Sequence, residues 1–257
     1  MAVSLGVRDL TVQFGGVSAL TGVTFDVQPG AVTSLIGPNG AGKTTAFNAI
    51  TGYLRPTRGE VTWKAEPITG RRPSDIARRG IVRTFQKTSV FPALSVVENV
   101  MIGLHLRGTA EWPSILAGAP RVRDEERRLH ASAQDVIDFV GLGRRGHEVA
   151  GALPYGEQRL VELAIGLAAQ PALLLLDEPA AGMTGVEKEA VSRLILEIRA
   201  RGITVFLVEH DMRLVMGISD RVLVLNHGRL IADGAPAEIQ THPEVIRAYL
   251  GSAGAAP

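Results

Sequence analysis

Residues 37–45 read Gly-Pro-Asn-Gly-Ala-Gly-Lys-Thr-Thr and match the pattern G-x-x-x-x-G-K-[S/T] in full. The apolar run 31–36 before them has the pattern of a buried strand, and residues 44–50 after them have the pattern of a helix. Glycines at such a turn allow backbone N–H groups to surround phosphate oxygens, and the positive end of the helix dipole adds to the attraction. We therefore predict a phosphate-binding loop at residues 37–45.

Every residue of this loop is a candidate for binding a nucleotide. They are Gly37, Pro38, Asn39, Gly40, Ala41, Gly42, Lys43, Thr44 and Thr45. We expect the Lys43 ammonium to reach the β- and γ-phosphates as a point charge, and the Thr44 hydroxyl to ligate Mg²⁺, a cation that prefers oxygen ligands. The alternative interpretation of the stretch is a glycine-rich turn beside an exposed lysine.

The composition indicates a globular chain with one lobed domain or two small ones. Of the 257 residues 46% are apolar, and 27 basic side chains nearly balance 26 acidic ones. Basic residues form no run longer than pairs such as Arg71-Arg72, so we expect no nucleic-acid partner. The chain has no cysteine, which excludes a disulfide scaffold, a Cys-ligated zinc site and a thiol nucleophile.

Two further patterns concern membranes. The N-terminal residues lack a basic region followed by an apolar one, so we expect no signal peptide. The longest apolar stretch, 160–176, is interrupted by Glu162, Gln170 and Pro171 and cannot cross a bilayer as one helix. If the protein works at a membrane, we expect it to be a peripheral subunit.

Hydrophobic periodicity predicts an α/β fold with a helical insertion. Strands are expected within 3–35, at 60–63 and at 81–85, followed by helices from residue 87 to about 168. Ser95 and Glu98 have the spacing of a capping box within that helical region. We predict a single domain, 1–257, in which 1–86 and 169–251 form a β subdomain plus a core, 87–168 form a helical subdomain, and 252–257 form a tail.

The C-terminal part is predicted to return to buried strands, at 172–176 and 203–208. A helix over 186–201 is expected to bury one stripe of apolar residues, and these are Val186, Ala190, Leu194 and Ile198. Thr241 and Glu244 have the spacing of a capping box for a last helix that ends at Leu250.

Four polar residues are predicted to complete a nucleotide-hydrolysing site. Asp177 ends an apolar strand, where a carboxylate can hold the Mg²⁺ hydration shell, and Glu178 after it is the predicted general base for the attacking water. His210, just past the next buried strand, is expected to bond the γ-phosphate and orient that water. Gln86 is expected to bond Mg²⁺ or water. The candidate catalytic residues are thus Glu178, His210, Lys43 and Gln86, and the candidate metal ligands are Thr44, Gln86 and Asp177.

These residues have plainer interpretations as well. Asp-Glu-Pro after a strand is also typical of an exposed loop, and a lone histidine is more often structural. A glutamine such as Gln86 carries almost no information by itself.

A second candidate anion site lies at residues 153–159, Leu-Pro-Tyr-Gly-Glu-Gln-Arg, which we call the signature segment. It is a glycine-containing turn at the N-terminus of another predicted helix, where backbone N–H groups attract anions. Because one chain already has a phosphate site, the economical arrangement is two chains, each offering this helix end to the nucleotide of the other. Tyr155, Gly156 and Glu157 are therefore further candidate nucleotide-binding residues.

Taken together, these motifs resemble those of the ATP-binding cassette ATPases. The resemblance covers nearly the whole chain, and the motifs follow one another in the same order as in that family. The resemblance implies a RecA-like P-loop NTPase core with an N-terminal antiparallel β subdomain and an inserted α-helical subdomain. It also implies a head-to-tail dimer with two ATP at the interface, and an adenine base stacked on Phe14. The alternative for Phe14 is a place in the core.

Within this family, four stretches look like the LivG-type ATP-binding subunits of branched-chain amino acid importers. They are Arg83-Thr84-Phe85-Gln86, Tyr155-Gly156, residues 177–182 and residues 242–251. ATPases of urea, amide and other hydrophobic-substrate importers, and the lipopolysaccharide-export ATPase, are similar.

The chain departs from the family pattern at two places. Pro154 and Tyr155 stand where Ser-Gly is usual, and losing one charge-assisted bond to phosphate would cost roughly 1.5–3 kcal/mol. We interpret this as a weakened second site. Thr184 stands where Asp or Asn is frequent.

The resemblance implies an ATP-binding and ATP-hydrolysing importer subunit, peripheral on the cytoplasmic face of the inner membrane. Its expected partners are a second cassette subunit, identical or paralogous, two transmembrane permease subunits and, indirectly, a periplasmic or extracellular solute-binding protein. Its membrane partner is expected to dock near residues 86–92. The alternatives are a soluble cassette ATPase acting on DNA or ribosomes, and a nucleotide-binding regulatory subunit without turnover.

Overall fold

A computed structural model describes residues 4–84, 90–104 and 120–253, and for 120–126 and 250–253 it describes the backbone alone. The described chain divides into two compact units. The core unit comprises the residues up to Arg83, Ala172–Pro179 and the residues from Lys188 onward. The helical unit comprises Thr84–Pro171, as far as described, and Ala180–Glu187.

The strands of the described chain are β1 (Leu5–Phe14), β2 (Val17–Val27), β3 (Val32–Ile36), β4 (Arg58–Trp63), β5 (Glu66–Pro67), β6 (Ile81–Arg83), β7 (Leu173–Asp177), β8 (Thr204–Val208), β9 (Arg221–Asn226) and β10 (Arg229–Gly234). The helices are α1 (Lys43–Ile50), α2 (Pro73–Arg78), α3 (Val96–Leu104), α4 (Pro120–Phe139), α5 (Tyr155–Ala168), α6 (Gly185–Ala200), α7 (Met212–Ile218), α8 (Pro236–Thr241) and α9 (Pro243–Ala253). None of these helices is both long and apolar enough to cross a membrane.

The strands form two sheets in the core unit. One is antiparallel, with the order β2-β1-β4-β5, and the other has the order β10-β9-β3-β8-β7-β6. In the second sheet all neighbours are parallel except β10 and β9. Strands β3, β7 and β8 are buried along their whole length, as expected for apolar runs covered on both faces. The predicted α/β fold is confirmed.

One hydrophobic core joins both sheets to the helix that follows the phosphate-binding loop. Phe206 of β8 lies between Phe25 of β2 and Phe47 of α1, with ring centroids 5.6 and 5.0 Å away. All three rings are almost fully buried. Aromatic side chains contribute large buried areas, so this contact fixes α1, and with it the loop, against the sheets.

In the helical unit, α3 packs against α4 and α5. A Cβ on Gly103 would lie 2.2 Å from the Ile165 carbonyl oxygen, so only glycine allows α3 to approach α5 this closely. The predicted capping box is confirmed, because Ser95 N–H donates to the Glu98 carboxylate and Glu98 N–H donates to the Ser95 hydroxyl.

The structure corrects three details of the sequence analysis. The buried face of α6 consists of Val191, Leu194, Ile195 and Ile198, whereas Val186 is 77% exposed and Ala190 is exposed as well. The predicted stripe was therefore wrong in its first half, because α6 begins at Gly185 and its buried face starts only at Val191, nearly two turns later. Strand β6 ends at Arg83, before the predicted 85.

The third correction concerns the C-terminal helices. Thr241 ends α8, where its hydroxyl donates to the Ala237 and Glu238 carbonyls, so it does not cap the next helix. Helix α9 then continues to Ala253, two residues into the segment predicted as a tail.

Candidate functional site

The phosphate-binding loop connects β3 to α1, and Lys43 is its buried centre. The Lys43 ammonium donates to the Gly37 carbonyl at 2.7 Å and to the Pro38 carbonyl at 3.0 Å. Burial lowers the pKa of Lys43, while the nearby Glu178 and Asp177 carboxylates act in the opposite direction. The buried Lys43 ammonium thus faces two carboxylates and donates to carbonyls of its own loop. It is positioned to exchange these carbonyl contacts for contacts with phosphate oxygens.

Two glycines are required by the shape of the loop. Gly37 has φ +152° and Gly42 has φ +105°, a region in which side chains with a Cβ are strained. A Cβ on Gly37 would lie 2.1 Å from the Leu225 carbonyl oxygen, and one on Gly42 would lie 2.7 Å from the Ala19 carbonyl oxygen. The space that side chains would fill elsewhere is thus occupied by neighbouring backbone.

Most of the other loop residues are closer to the surface. Asn39, Gly40 and Thr44 are exposed, and Pro38, Gly42 and Thr45 are partly exposed. Ala41 is buried, and its N–H donates to the Pro38 carbonyl at 3.1 Å. The Thr44 hydroxyl is therefore accessible to a cation bound at the start of α1.

Asp177 ends β7, as predicted, but its partner was missed. The Asp177 carboxylate accepts from the Arg83 guanidinium at 2.6 Å, and the two side chains are only 2% and 6% exposed. The same guanidinium donates to Asn48 of α1 at 2.6 Å. Arg83 lies on β6, which pairs with β7 in parallel. A basic residue closing a short strand would have been the only sequence signal for it.

Glu178 and His210 meet in space although they are 32 residues apart. The His210 Nε2 and Glu178 Oε1 atoms are 2.7 Å apart, with side chains 43% and 17% exposed. Glu178 has φ +51°, a left-handed conformation that costs a non-glycine residue about 1–3 kcal/mol. Its N–H donates to the Val208 carbonyl at 2.8 Å, which holds it at the ends of β7 and β8. Such strain is typical of functional sites.

The turn that carries His210 is fixed by two acids. The buried Glu209 carboxylate accepts from the His210 N–H at 2.8 Å. Asp211 caps α7, accepting from the Arg213 and Leu214 N–H groups at 3.0 and 3.2 Å. Its other oxygen accepts from the Lys188 ammonium at 2.8 Å. The imidazole therefore projects from a rigid turn.

Asp211→Ala is expected to lower the free energy of unfolding at pH 7 by about 1 kcal/mol, the usual cost of a lost N-cap. The hydrogen bond from Lys188, with the amides of α7, holds the pKa of Asp211 below its ordinary value. The contribution of the Asp211 carboxylate to the free energy of unfolding is thus complete above about pH 3.9. It is lost as the pH falls through the pKa of Asp211 in the folded state, which is lower. Urea unfolding at pH 7 and at steps below pH 4 checks this, and a difference that grows with acidity would contradict it.

Phe14 and Gln86 are the remaining residues of the predicted nucleotide site. Phe14 lies at the end of β1 and is 52% exposed, so the alternative that placed it in the core is wrong. Gln86 lies outside the described residues, as do residues 87–89 of the predicted docking region.

The signature segment lies in the helical unit, where Tyr155 begins α5. Tyr155 is 44% exposed, and its hydroxyl accepts from Arg159 at 3.0 Å. The Glu187 carboxylate lies against Gly156, 2.2 Å from where a Cβ would be. Glu157 forms an ion pair with Arg145 at 3.2 Å. An acid therefore already occupies the space beside the helix end predicted to take an anion.

Thr184 has a structural explanation. Its hydroxyl donates to the Glu187 carboxylate at 2.7 Å, and the Glu187 N–H donates back to that hydroxyl at 3.4 Å. This is a capping box at the start of α6. Threonine is a good N-cap residue, so the departure from Asp or Asn preserves the cap.

The donor set of the core unit fits a nucleotide and a divalent cation. The loop offers a buried ammonium and a glycine cradle, and the Thr44 hydroxyl and Asp177 carboxylate are oxygen donors of the kind Mg²⁺ takes. The chain matches a family model described as "ABC transporter" over residues 20–181. It also matches one described as "Branched-chain amino acid ATP-binding cassette transporter" over residues 229–255.

Similar proteins agree with these matches. The chain is 42% identical to the high-affinity branched-chain amino acid transport ATP-binding protein BraF of Pseudomonas aeruginosa, over 97% of this chain and 98% of the relative. It is 42% identical, with the same coverage, to the corresponding protein LivG of Salmonella typhimurium.

A crystal structure of the ADP conformation of an ATP-binding cassette of an ABC transporter has a TM-score of 0.85 to this chain. The two are 32% identical, with 98% of this chain and 99% of that one covered. A nucleotide-free cassette structure has a TM-score of 0.84, also at 32% identity, with 97% and 99% covered. The chain therefore belongs to the ABC transporter family, as one of its ATPases.

Proposed function

We propose that this ATPase hydrolyses ATP in the core unit to drive an importer of branched-chain amino acids. The proposal that the chain hydrolyses ATP is carried by the contact between Glu178 and His210 at the strand ends. The Lys43 ammonium is close enough to interact electrostatically with the Glu178 carboxylate. The cargo is supported by the 42% identity to BraF and LivG and by the match of residues 229–255.

The residues divide the work as follows. The loop amides and the Lys43 ammonium bind the phosphates, which neutralises charge that develops on them. Thr44 and Asp177, with Gln86, would hold Mg²⁺, and the cation would supply electrostatic stabilisation of the phosphoryl group. Glu178 accepts a proton from the attacking water. His210, fixed by its turn, orients the Glu178 carboxylate and that water.

The assembly is proposed to contain two cassettes, each completing the other's site with Tyr155, Gly156 and Glu157 of the signature segment. Glu187 would have to leave Gly156 for a phosphate to approach that helix end. Two permease subunits and a solute-binding protein complete the importer, with this chain on the cytoplasmic face of the membrane. Phe91, which lies within the predicted docking region and is 52% exposed, is a candidate contact for a permease. We propose the core and helical units as the two subdomains of the cassette.

The test is uptake of labelled leucine, isoleucine and valine by a deletion strain of the source organism. Uptake should fall on deletion and return with the wild-type gene, while a gene carrying Lys43→Ala should not restore it. The purified protein should release phosphate from ATP in the presence of Mg²⁺, and this release should stop when EDTA removes the metal. If the deletion strain took up branched-chain amino acids normally but lost the uptake of urea or amides, the substrate of this importer would be that of the related urea or amide importers. If the deletion strain took up all these solutes normally and the purified protein bound DNA tightly and in a salt-sensitive way, the alternative of a soluble cassette ATPase acting on DNA would be favoured.

A further inference from the structure

A single arginine joins the two elements that carry the candidate metal ligands. Arg83 lies on β6, and its Nη2 donates to Asp177 Oδ2 of β7 at 2.6 Å. Its Nη1 donates to Asn48 Oδ1 of α1, also at 2.6 Å. Helix α1 begins at Lys43, so Thr44 lies in its first turn. The two ends of the guanidinium therefore link the strand that ends at Asp177 to the helix that carries Thr44.

The guanidinium is held in place from several sides. Its Cζ lies 5.4 Å from the centre of the Phe47 ring, within the range of a cation–π contact. Phe47 is itself fully buried and packs against Phe206 of β8. Nη1 also donates to the Thr51 hydroxyl at 3.4 Å. Because the guanidinium is planar and its donors have fixed directions, it sets the position of Asp177 relative to α1.

Arg83 occupies only one oxygen of the Asp177 carboxylate. Among residues 4–84, 90–104 and 120–253, no hydrogen bond reaches the other oxygen, Oδ1. Mg²⁺ demands nearly ideal octahedral coordination at short distances, so ligands from two different elements must be placed accurately. Hydrogen bonds to a ligating carboxylate commonly provide this accuracy.

We propose that Arg83 is a positioning residue for the metal site, and that its two-ended guanidinium fixes the spacing between the Asp177 carboxylate and the Thr44 hydroxyl. In this role Arg83 acts through Asp177 and Asn48 and does not itself bind the metal or the nucleotide. The inference rests on the proposed function, which takes Thr44 and Asp177 as ligands of Mg²⁺.

The test is Arg83→Lys, which keeps the positive charge and removes the planar guanidinium. The variant is expected to bind Mg-ADP about tenfold more weakly in calorimetric titrations, the lower end for losing a hydrogen bond that orients a metal ligand. Its Kd for ADP in EDTA should stay within about twofold of wild type, because the phosphate-binding loop is unchanged. Binding of Ca-ADP should weaken less than binding of Mg-ADP, since Ca²⁺ accepts irregular coordination.

Asn48→Leu is a second variant, which leaves the buried ion pair of Arg83 and Asp177 intact. It removes the acceptor on α1 and keeps a side chain of similar size. Binding of Mg-ADP should weaken about two- to tenfold, the range for one hydrogen bond, with the Kd for ADP in EDTA again unchanged. Because the ion pair remains, this variant tests the proposal even if Arg83→Lys fails to fold.

Arg221→Lys is the matched control. Arg221 is another arginine of the core unit that donates through two nitrogens, to Asp233 at 2.5 and 2.6 Å. It begins β9 and is in register with Thr33 near the start of β3, whereas the phosphate-binding loop follows the end of β3. The change should lower the thermal midpoint and leave the Kd for Mg-ADP within about twofold of wild type.

The metal dependence of binding decides the outcome. If Arg83→Lys and Asn48→Leu weakened ADP binding equally with and without the metal, the role of Arg83 as a positioning residue would be overturned. An unchanged Kd for Mg-ADP in both variants, or equal losses for Mg-ADP and Ca-ADP, would overturn it as well. A wild-type chain whose Kd for ADP is the same with Mg²⁺ and with EDTA would instead overturn Thr44 and Asp177 as metal ligands. That failure belongs to the proposed function, so the two are distinguishable.

Discussion

Glu178→Gln is expected to bind ATP normally and to hydrolyse it about 10²–10⁴-fold more slowly, the usual range for loss of a general base. The amide has the size of the carboxylate and can keep a hydrogen bond to His210, 2.7 Å away in the wild type. It cannot accept the proton of the attacking water. The left-handed conformation of residue 178 is equally strained in both proteins, because both side chains have a Cβ. Steady-state phosphate release at saturating ATP, with calorimetric titration of ATP, measures both effects.

Glu189→Gln is a suitable control for this experiment. Glu189 is an exposed acid on α6, and the same chemical change there should alter the rate by less than about twofold. An unchanged phosphate-release rate in Glu178→Gln would remove Glu178 from the role of base. A loss of ATP binding in that variant would assign Glu178 to the binding of the nucleotide.

Arg83→Met is expected to lower the free energy of unfolding by about 3–5 kcal/mol, the cost of leaving one partner of a buried ion pair uncompensated. The pair with Asp177 is 2.6 Å long, and both side chains are almost fully buried. The change also removes the bond from Arg83 to Asn48 of α1. Equilibrium unfolding in urea, followed by circular dichroism, measures the difference.

Two further variants separate charge from packing in this experiment. Arg83→Met combined with Asp177→Leu should recover most of the lost stability, because an apolar pair can replace a buried ion pair at little cost. Arg58→Met breaks the exposed pair with Asp9, whose side chains are 75% and 47% exposed, and should cost no more than about 1 kcal/mol. If Arg83→Met were no less stable than Arg58→Met, the buried pair would not be a determinant of stability.

Much of the fold was predictable because its signals lie between near neighbours. The loop pattern fixes a strand before it and a helix after it, and the Ser95–Glu98 capping box depends on residues three apart. The misassigned stripe of α6 has the same origin. Spacing alone places Val186 and Leu194 on one face, but it does not say at which turn that face becomes covered.

The positions of Asp177, Glu178 and His210 at strand ends were also predictable, since an apolar run ends where polar residues begin. Their roles remain predictions. The meeting of Glu178 with His210 follows once β7 and β8 are parallel neighbours, because the carboxyl ends of parallel strands share one edge of the sheet.

The sequence by itself determined the α/β class, the phosphate-binding loop and the order of elements, because periodicity and turn chemistry act over a few residues. Only the tertiary structure decided that Arg83 neutralises Asp177, 94 positions away, and that His210 meets Glu178, 32 positions away. Both contacts depend on which strands and helices become neighbours. That choice is made by the packing of the whole core, in which each element is placed by residues distant in sequence.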